Sequence, residues 1–396
     1  MSETNNNPGP IEVTNKSKGI YAAFMFLGVI AFGMTVIKDP SRAWHAYLVG
    51  FFYFMTLSLG GFFFTALQHV AKAGWSVNIR RFSESLMAFL PYGFGLGIVF
   101  LYGSFELYDW LKPEVVANDH LLQHKAGYLN KTFFFIRFIT FFVAWIVLAK
   151  MMIGNSLKQD KTGDVNLTHK NVTVGVVSIL IFAITYSFFS VDTVMALEAH
   201  WFSTMFGVYA FSGMFQSTMA LMILIILRQV ENGKLKGRVD MNHIHDLGKF
   251  LFGFTVFWAY IAFSQYMLIW YANLPEETFF FLPRSTGSWM LVSISLILCK
   301  FIVPFFALLP RWAKRNTAHL KAVSYWVLIF QFVDIFWVVY PHYSEEHVAL
   351  GLPEVLIFLG FAGVFMWSIT QFLGKHPMTP LKDPRQHESD HHHVVY

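Results

Sequence analysis

Ten apolar stretches of about 20 residues, each nearly free of charge, follow one another from residue 18 to residue 373. A stretch of that length is what an α-helix needs to cross the hydrocarbon core of a bilayer. The stretches fall near 18–37, 43–70, 82–104, 132–153, 172–191, 199–228, 247–271, 288–309, 320–340 and 352–373. They predict an all-α, polytopic membrane protein. The second, sixth and seventh are longer than the bilayer requires, which predicts tilt or extension into water. Only 13% of the chain is charged, about half the share of a soluble domain, too little to coat a water-facing surface. Residues 1–17 are polar and the first apolar run is long enough to span, so no cleaved leader is expected. Residues 374–396 read as a disordered tail, with an adventitious metal site at most in His391, His392 and His393.

Basic residues orient the chain. Taking residues 1–17 as the first loop, the loops and flanks on that side hold 21 of the 29 Lys and Arg. The other side holds six, and Arg137 and Lys300 lie within spans. This asymmetry predicts that both termini are cytoplasmic. The net charge of +5 is thus a topology signal and gives no indication of nucleic-acid binding. The outer loops, 105–130 the longest, are acidic and aromatic. They either cap the helices or dock an extracytoplasmic partner.

Several chemistries lack their residues. No phosphate-binding GxxxxGK[ST] loop occurs. No C-x-x-C-H occurs, and the lone Cys299 can form neither a disulfide nor a cysteine-ligated cluster within the chain. His45, His69 and His200 fall near span ends at mixed depths, which argues against a bis-histidine haem. The chain is expected to bind no metal cofactor of its own.

What remains is a set of polar groups inside apolar helices, costly in lipid and usually turned toward a bundle interior or water. Glu84 follows Arg80 and Arg81 and is expected to pair with nearby bases, with His69 close to the same end. Pro91, Gly93, Gly95 and Gly97 predict a kink or a close helix contact. Arg137 lies about 8 Å inside the outer boundary of the fourth span, either snorkelling outward or held by a partner. Lys300 is near mid-membrane on the eighth, with a reach toward the cytoplasmic interface past Pro304 as its simplest arrangement. Asp334 lies about 10 Å below the outer face of the ninth, with Gln331 and Trp337 on its stripe. On the seventh, Tyr260, Ser264, Met267 and Tyr271 share one face and Trp258, Gln265 and Ile269 another, and the run ends at Glu276 and Glu277. Two readings stand for this helix. Its polar side chains are interhelical hydrogen-bonding glue, or with Asp334 and the two glutamates they line a hydrated proton path.

The segment "HDLGKFLFGFTVFWAYIAFSQYMLIWYANLPEETFFF" (245–281) closely resembles the signature of the membrane subunits of alternative complex III, a bacterial quinol-oxidising respiratory complex. Those subunits belong to the NrfD-like (polysulphide-reductase) family. "GGFFFTALQHVAKAGWSVNIRRFSE", "CKFIVPFFALLPRWAKRN" and "FVDIFWVVYPHY" carry the resemblance over most of the chain, and motif and length are more similar to the second of its two paralogues. The resemblance implies two four-helix bundles, about 43–191 and 199–340, flanked by the first and tenth spans. It implies a multi-pass protein of the bacterial inner membrane and an accessory rather than catalytic subunit of an electron-transport enzyme. It also implies a sister NrfD-like subunit, a periplasmic iron–sulphur subunit and haem c subunits as partners, with the haem c and iron–sulphur clusters in those partners. A quinone or quinol pocket in this chain is the alternative to a scaffold with a proton path. A stand-alone secondary transporter is the remaining alternative, disfavoured because no matching pair of broken helices marks two halves.

The orientation is directly testable. Alkaline phosphatase fused within 105–130 should be active, and the same enzyme fused at residue 396 inactive.

Overall fold

The computed structural model describes residues 8–393, with no strand among them. Ten helices are long and apolar enough to cross a membrane. Spans 1 to 10 are Asn15–Lys38, Pro40–Val70, Gly74–Leu107, Lys131–Thr162, Asn166–Leu197, Phe206–Glu231, Met241–Ala272, Gly287–Leu308, Thr317–His342 and Leu352–Leu373. Eight of the ten apolar stretches lie wholly within a span; the sixth begins seven residues before its helix, which starts at Phe206, and the eighth ends one residue past Leu308.

Apolarity marks where lipid ends, but a helix continues until something caps it. Span 4 therefore runs through polar residues to Thr162 and stops at Gly163, which has the left-handed conformation (φ 69°) usual at a helix C-terminus. Span 7 starts several residues before its apolar run because the Asp240 carboxylate accepts from the N–H groups of Asn242 and His243.

Two spans are irregular, each for a reason visible in proline. Span 3 breaks at residues 88–89 and resumes at Leu90. Pro91, lacking an N–H, is tolerated there in the new first turn. Span 8 takes π-helical turns over Leu296–Ile302. Four residues on, Pro304 can neither donate to the carbonyl of Lys300 nor avoid crowding it. The widened turn carries the Lys300 side chain inward.

Span 2 is buried along nearly its whole length and forms the axis of the fold. Spans 2–5 make one four-helix bundle and spans 6–9 a second, meeting through spans 2, 5, 6 and 9. Spans 1 and 10 pack on each other and flank span 2. Two close approaches require glycine. A Cβ on Gly28 would lie 2.5 Å from the Cα of Gly360, and one on Gly60 would lie 1.9 Å from Thr218 Oγ1 across the bundle interface. The bundles are filled differently. Phe51, Phe100, Phe138, Phe142, Trp145 and Phe189 pack ring against ring in the middle of the first. The buried charges of that bundle lie toward its two ends, whereas the second holds a buried Lys300–Asp334 pair well inside span 8 and span 9.

The C-terminal segment departs from expectation. Through residue 393 it is an ordered strap across the end of the protein that carries both termini. Leu381 N–H donates to Asp160 (2.9 Å), Arg80 donates to Asp383 (2.5 Å), and Ser389 donates to the carbonyl of Trp75 (2.7 Å). Asn78 and Arg238 both donate to Asp390 (2.8 Å each). Low hydrophobicity made this segment look unable to dock. It docks by charge, supplying Asp383 to the buried Arg80 and Asp390 to the partly exposed Arg238. Burial disfavours ionisation of Asp383, but the Arg80 guanidinium beside it prevails and holds the carboxyl below its usual range. Within the three-histidine run, His392 is bound to Asp246 at 2.8 Å. No group of three metal-ligating residues converges among the described residues. Residues 1–7 and 394–396, parts of the two expected tails, lie outside the described residues.

Gly28→Leu should force spans 1 and 10 apart and cost about 1–3 kcal/mol, the usual range for overpacking. Gly19→Leu on the same helix, where nothing lies within 4 Å of the added Cβ, should leave stability unchanged. Thermal unfolding of the two variants in detergent checks both.

Candidate functional site

Every helix of the second bundle contributes one element to a buried polar centre. Span 8 supplies Lys300, span 9 Asp334 and Gln331, span 6 Tyr209 and span 7 Trp258. The Lys300 ammonium and the Tyr209 hydroxyl both donate to the Asp334 carboxylate, one to each oxygen. A further ammonium hydrogen reaches Gln331 Oε1 at 2.7 Å. The ammonium also sits 4.5 Å from the centre of the Trp258 ring, within the range of a cation–π contact. Lys300 is fully buried and Asp334 nearly so. By helical rise, Lys300 is about 20 Å from the start of span 8 and about 12 Å from its end.

A cavity of about 20 Å³ adjoins the carboxylate at the seam between the bundles, lined among others by Phe52, Val194, Phe206, Tyr209, Gln331 and Asp334. That is room for one water with polar partners. Toward the basic end, Gln216 on span 6 donates to Thr255 on span 7 at 3.0 Å. On the opposite side Arg284, also buried, donates to the carbonyls of Phe280 (2.5 Å), Val338 (2.7 Å) and Trp337 (3.2 Å) and stacks on Phe280. It thereby ties down the C-terminal turn of span 9. Beyond it Glu198 meets His342 at 3.6 Å, and the His342 and His45 rings lie 5.5 Å apart.

The first bundle carries a different pair. Arg137 on span 4 grips Asp192 on span 5 with two parallel hydrogen bonds, 2.8 and 2.9 Å. Tyr128 donates to the same carboxylate at 2.9 Å, and the guanidinium lies over the rings of Tyr128 and Phe133. Arg137 therefore has its own partner and is not a counter-ion for Asp334. Asp192 escaped notice because it lies just past the apolar run and read as loop. At the basic end Glu84 accepts from Arg81 (2.8 Å) and Ser156 (2.9 Å), with Arg80 at 3.7 Å. His69 lies 3.4 Å from Asn171.

Of the two stripes on span 7, only one faces inward. Thr255, Trp258, Ile261, Gln265 and Ile269 are buried, at the 3–4-residue spacing of a single helix face. Tyr260 is 62% exposed and Tyr271 80%, and Ser264 is half-buried. Asp334 meets Tyr209, not Tyr260, because span 7 turns that face outward. Gln265 is buried on the inward face but is not among the hydrogen-bond partners of Asp334. Glu276 is exposed, and Glu277 is half-buried, its backbone carbonyl accepting from the Trp201 indole at 3.1 Å. Neither glutamate is joined to the centre. Lys300 does not reach for the interface past Pro304. It turns toward the opposite charge one span away. Two buried charges of opposite sign on consecutive antiparallel helices were the available signal for that pairing, whereas nothing in the sequence distinguished Tyr209 from other tyrosines.

The two ion pairs differ in what they can do. A guanidinium stays protonated and its fork matches a carboxylate, so Arg137–Asp192 is a static tie. An amine and a carboxylate can exist as an ion pair or as a neutral pair after one proton moves. Lys300–Asp334, with a phenol and a water-sized cavity beside it, is a centre that can hold and release a proton. No protein-family model matches the chain, and no curated protein matches its sequence. Among the described residues, fold and site define an all-α protein with ten helices long and apolar enough to cross a membrane and a buried lysine–aspartate pair in its second bundle.

The difference is measurable as stability. Asp192→Asn leaves a guanidinium buried without its counter-ion and should cost about 3–5 kcal/mol. Asp334→Asn should cost clearly less, because Lys300 can give up its proton. Thermal unfolding of the two variants under one set of conditions makes the comparison.

Proposed function

We propose that the chain is an NrfD-like membrane subunit of a bacterial alternative complex III, the second of its two paralogues. In this reading it gives scaffold to the complex and a proton path through its second bundle. It works in the inner membrane beside a sister subunit, with an iron–sulphur protein and haem c subunits carrying the electrons. The resemblance of 245–281 supports the assignment to this family.

The observation that carries the proton path is the Lys300–Asp334–Tyr209 centre. Buried ion pairs are about neutral for stability when compared with well-packed apolar residues, so stability alone gives little reason to keep this one. A charge pair inside a membrane helix bundle is a recurrent mark of an ion or proton route. Asp334 is the residue that takes up and gives off the proton. Tyr209 and Lys300 set its charge by donating to it, and Gln331 orients the ammonium. Gln216 and Thr255 lie on the side of the termini, and Glu198 with His342 on the other. In this reading they are polar groups on the two sides of the acid, and water would have to complete either route.

Asp334→Asn keeps the shape and removes the exchangeable charge. The complex should assemble, oxidise quinol at a usable rate, and translocate no protons beyond the scalar protons of quinol oxidation. Proton uptake and release in proteoliposomes, read beside the rate of quinol oxidation, is the measurement. Wild-type translocation in this variant would sink the proton path. Purification of the tagged chain without any haem-containing partner would sink its place in the complex.

A further inference from the structure

Outside the charged centre, a groove of about 690 Å³ is lined by Trp75, Phe211, Phe250, Phe254 and Phe257, with Lys249 and Asp246 at one end and Gly253 along it. From Lys249 to Phe257 is eight residues of one helix, about 12 Å of rise. Lys249 stands where the apolar run of span 7 begins, on the side of the termini, so the groove runs from headgroup level into the acyl region of one leaflet.

The mouth is built, not incidental. Lys249 Nζ lies 2.7 Å from Asp246, and its side chain is 47% exposed, leaving ammonium hydrogens free outward. The other Asp246 oxygen is held by His392 at 2.8 Å, and the His392 ring lies 6.0 Å from that of Trp75. The C-terminal strap thereby forms one lip. A wholly polar ligand would leave the aromatic wall uncovered. A bare hydrocarbon chain would cover the aromatic wall and make no use of the exposed Lys249 ammonium at its mouth. An amphiphile with an anionic oxygen group at its head satisfies both ends, and the acid beside Lys249 keeps the mouth from favouring a strongly anionic head.

We propose that this groove is a phospholipid site, with one acyl chain against the aromatic wall and the headgroup phosphate on Lys249. The site depends only on the chain lying in a bilayer and is independent of the proton path. It gives the strap a second task, closing a lipid against the seam between the two bundles.

The test uses the full-length chain, purified in dodecyl maltoside, equilibrated with phosphatidylethanolamine and examined by native mass spectrometry. The wild type should retain a phospholipid that Gly253→Leu does not, because the added side chain enters the groove where nothing lies within 4 Å of the new Cβ. Gly95→Leu, at an equally open glycine on span 3, should retain it. Lys249→Ala should hold it about tenfold more weakly, the loss of one charge-assisted contact. Dioleoylglycerol, which has no phosphate, should not replace it. In a second measurement, brominated phosphatidylcholine should quench a component of the tryptophan fluorescence that is missing in Trp75→Phe. Equal lipid retention by wild type and Gly253→Leu, equal retention of dioleoylglycerol, or equal quenching with and without Trp75 would overturn the proposal.

Discussion

The interior of a bilayer offers no water to a buried charge, and the polar architecture of this protein follows from that one constraint. Each ionised group carried into the helices needs a partner from the chain itself. The partners come from neighbouring helices: Arg137 with Asp192 and Lys300 with Asp334 within the spans, and at the helix ends Arg42 with Glu354 at 2.6 Å and Arg81 with Asp160 at 2.5 Å. These contacts fix which helix stands beside which more narrowly than apolar packing can, because a Phe-on-Phe contact tolerates sliding and a bidentate ion pair does not.

The same constraint divides labour between the bundles. The first is filled by aromatic rings and carries its buried cations as arginines toward its ends, where at Arg137 a fork geometry locks two helices together. The second carries a lysine deep inside, on a stretch of π-helix made by the proline four residues on. Wide π turns recur at functional sites, and here the reason is geometric. The widened turn lets a long side chain leave span 8 toward the bundle centre and place its ammonium between Asp334, Gln331 and the Trp258 ring. Arginine in one bundle and lysine in the other is what separates a static tie from a pair whose chemistry allows a proton to move between its members.

The strap from residue 374 to residue 393 extends the pattern beyond the membrane. Its acids meet Arg80, Arg238 and Asn78, groups belonging to both halves of the molecule, and its last histidines reach span 7. A polar segment with little hydrophobicity thus docks because the surface beneath it presents cations, one of them the buried Arg80, that its acids can meet. Composition describes what a segment can bury and is silent on what charges await it.

Sequence alone determined the number of spans and their order, because a bilayer imposes one length and one polarity on every crossing; their limits follow to within a few residues except where polar helix extends past lipid and at the start of span 6, where residues 199–205 are not helical. It also marked Asp334, Lys300, Arg137 and Glu84, since charge in an apolar run is conspicuous. Tertiary structure decided the pairings. Whether Lys300 reaches for the interface or for Asp334, and whether Tyr209 or Tyr260 meets that acid, depends on the rotation of each helix about its axis. That rotation is set by packing against helices far away in sequence. Span 7 shows the limit most clearly: its two stripes have similar polarity, so periodicity could define both faces but not say which one looks inward.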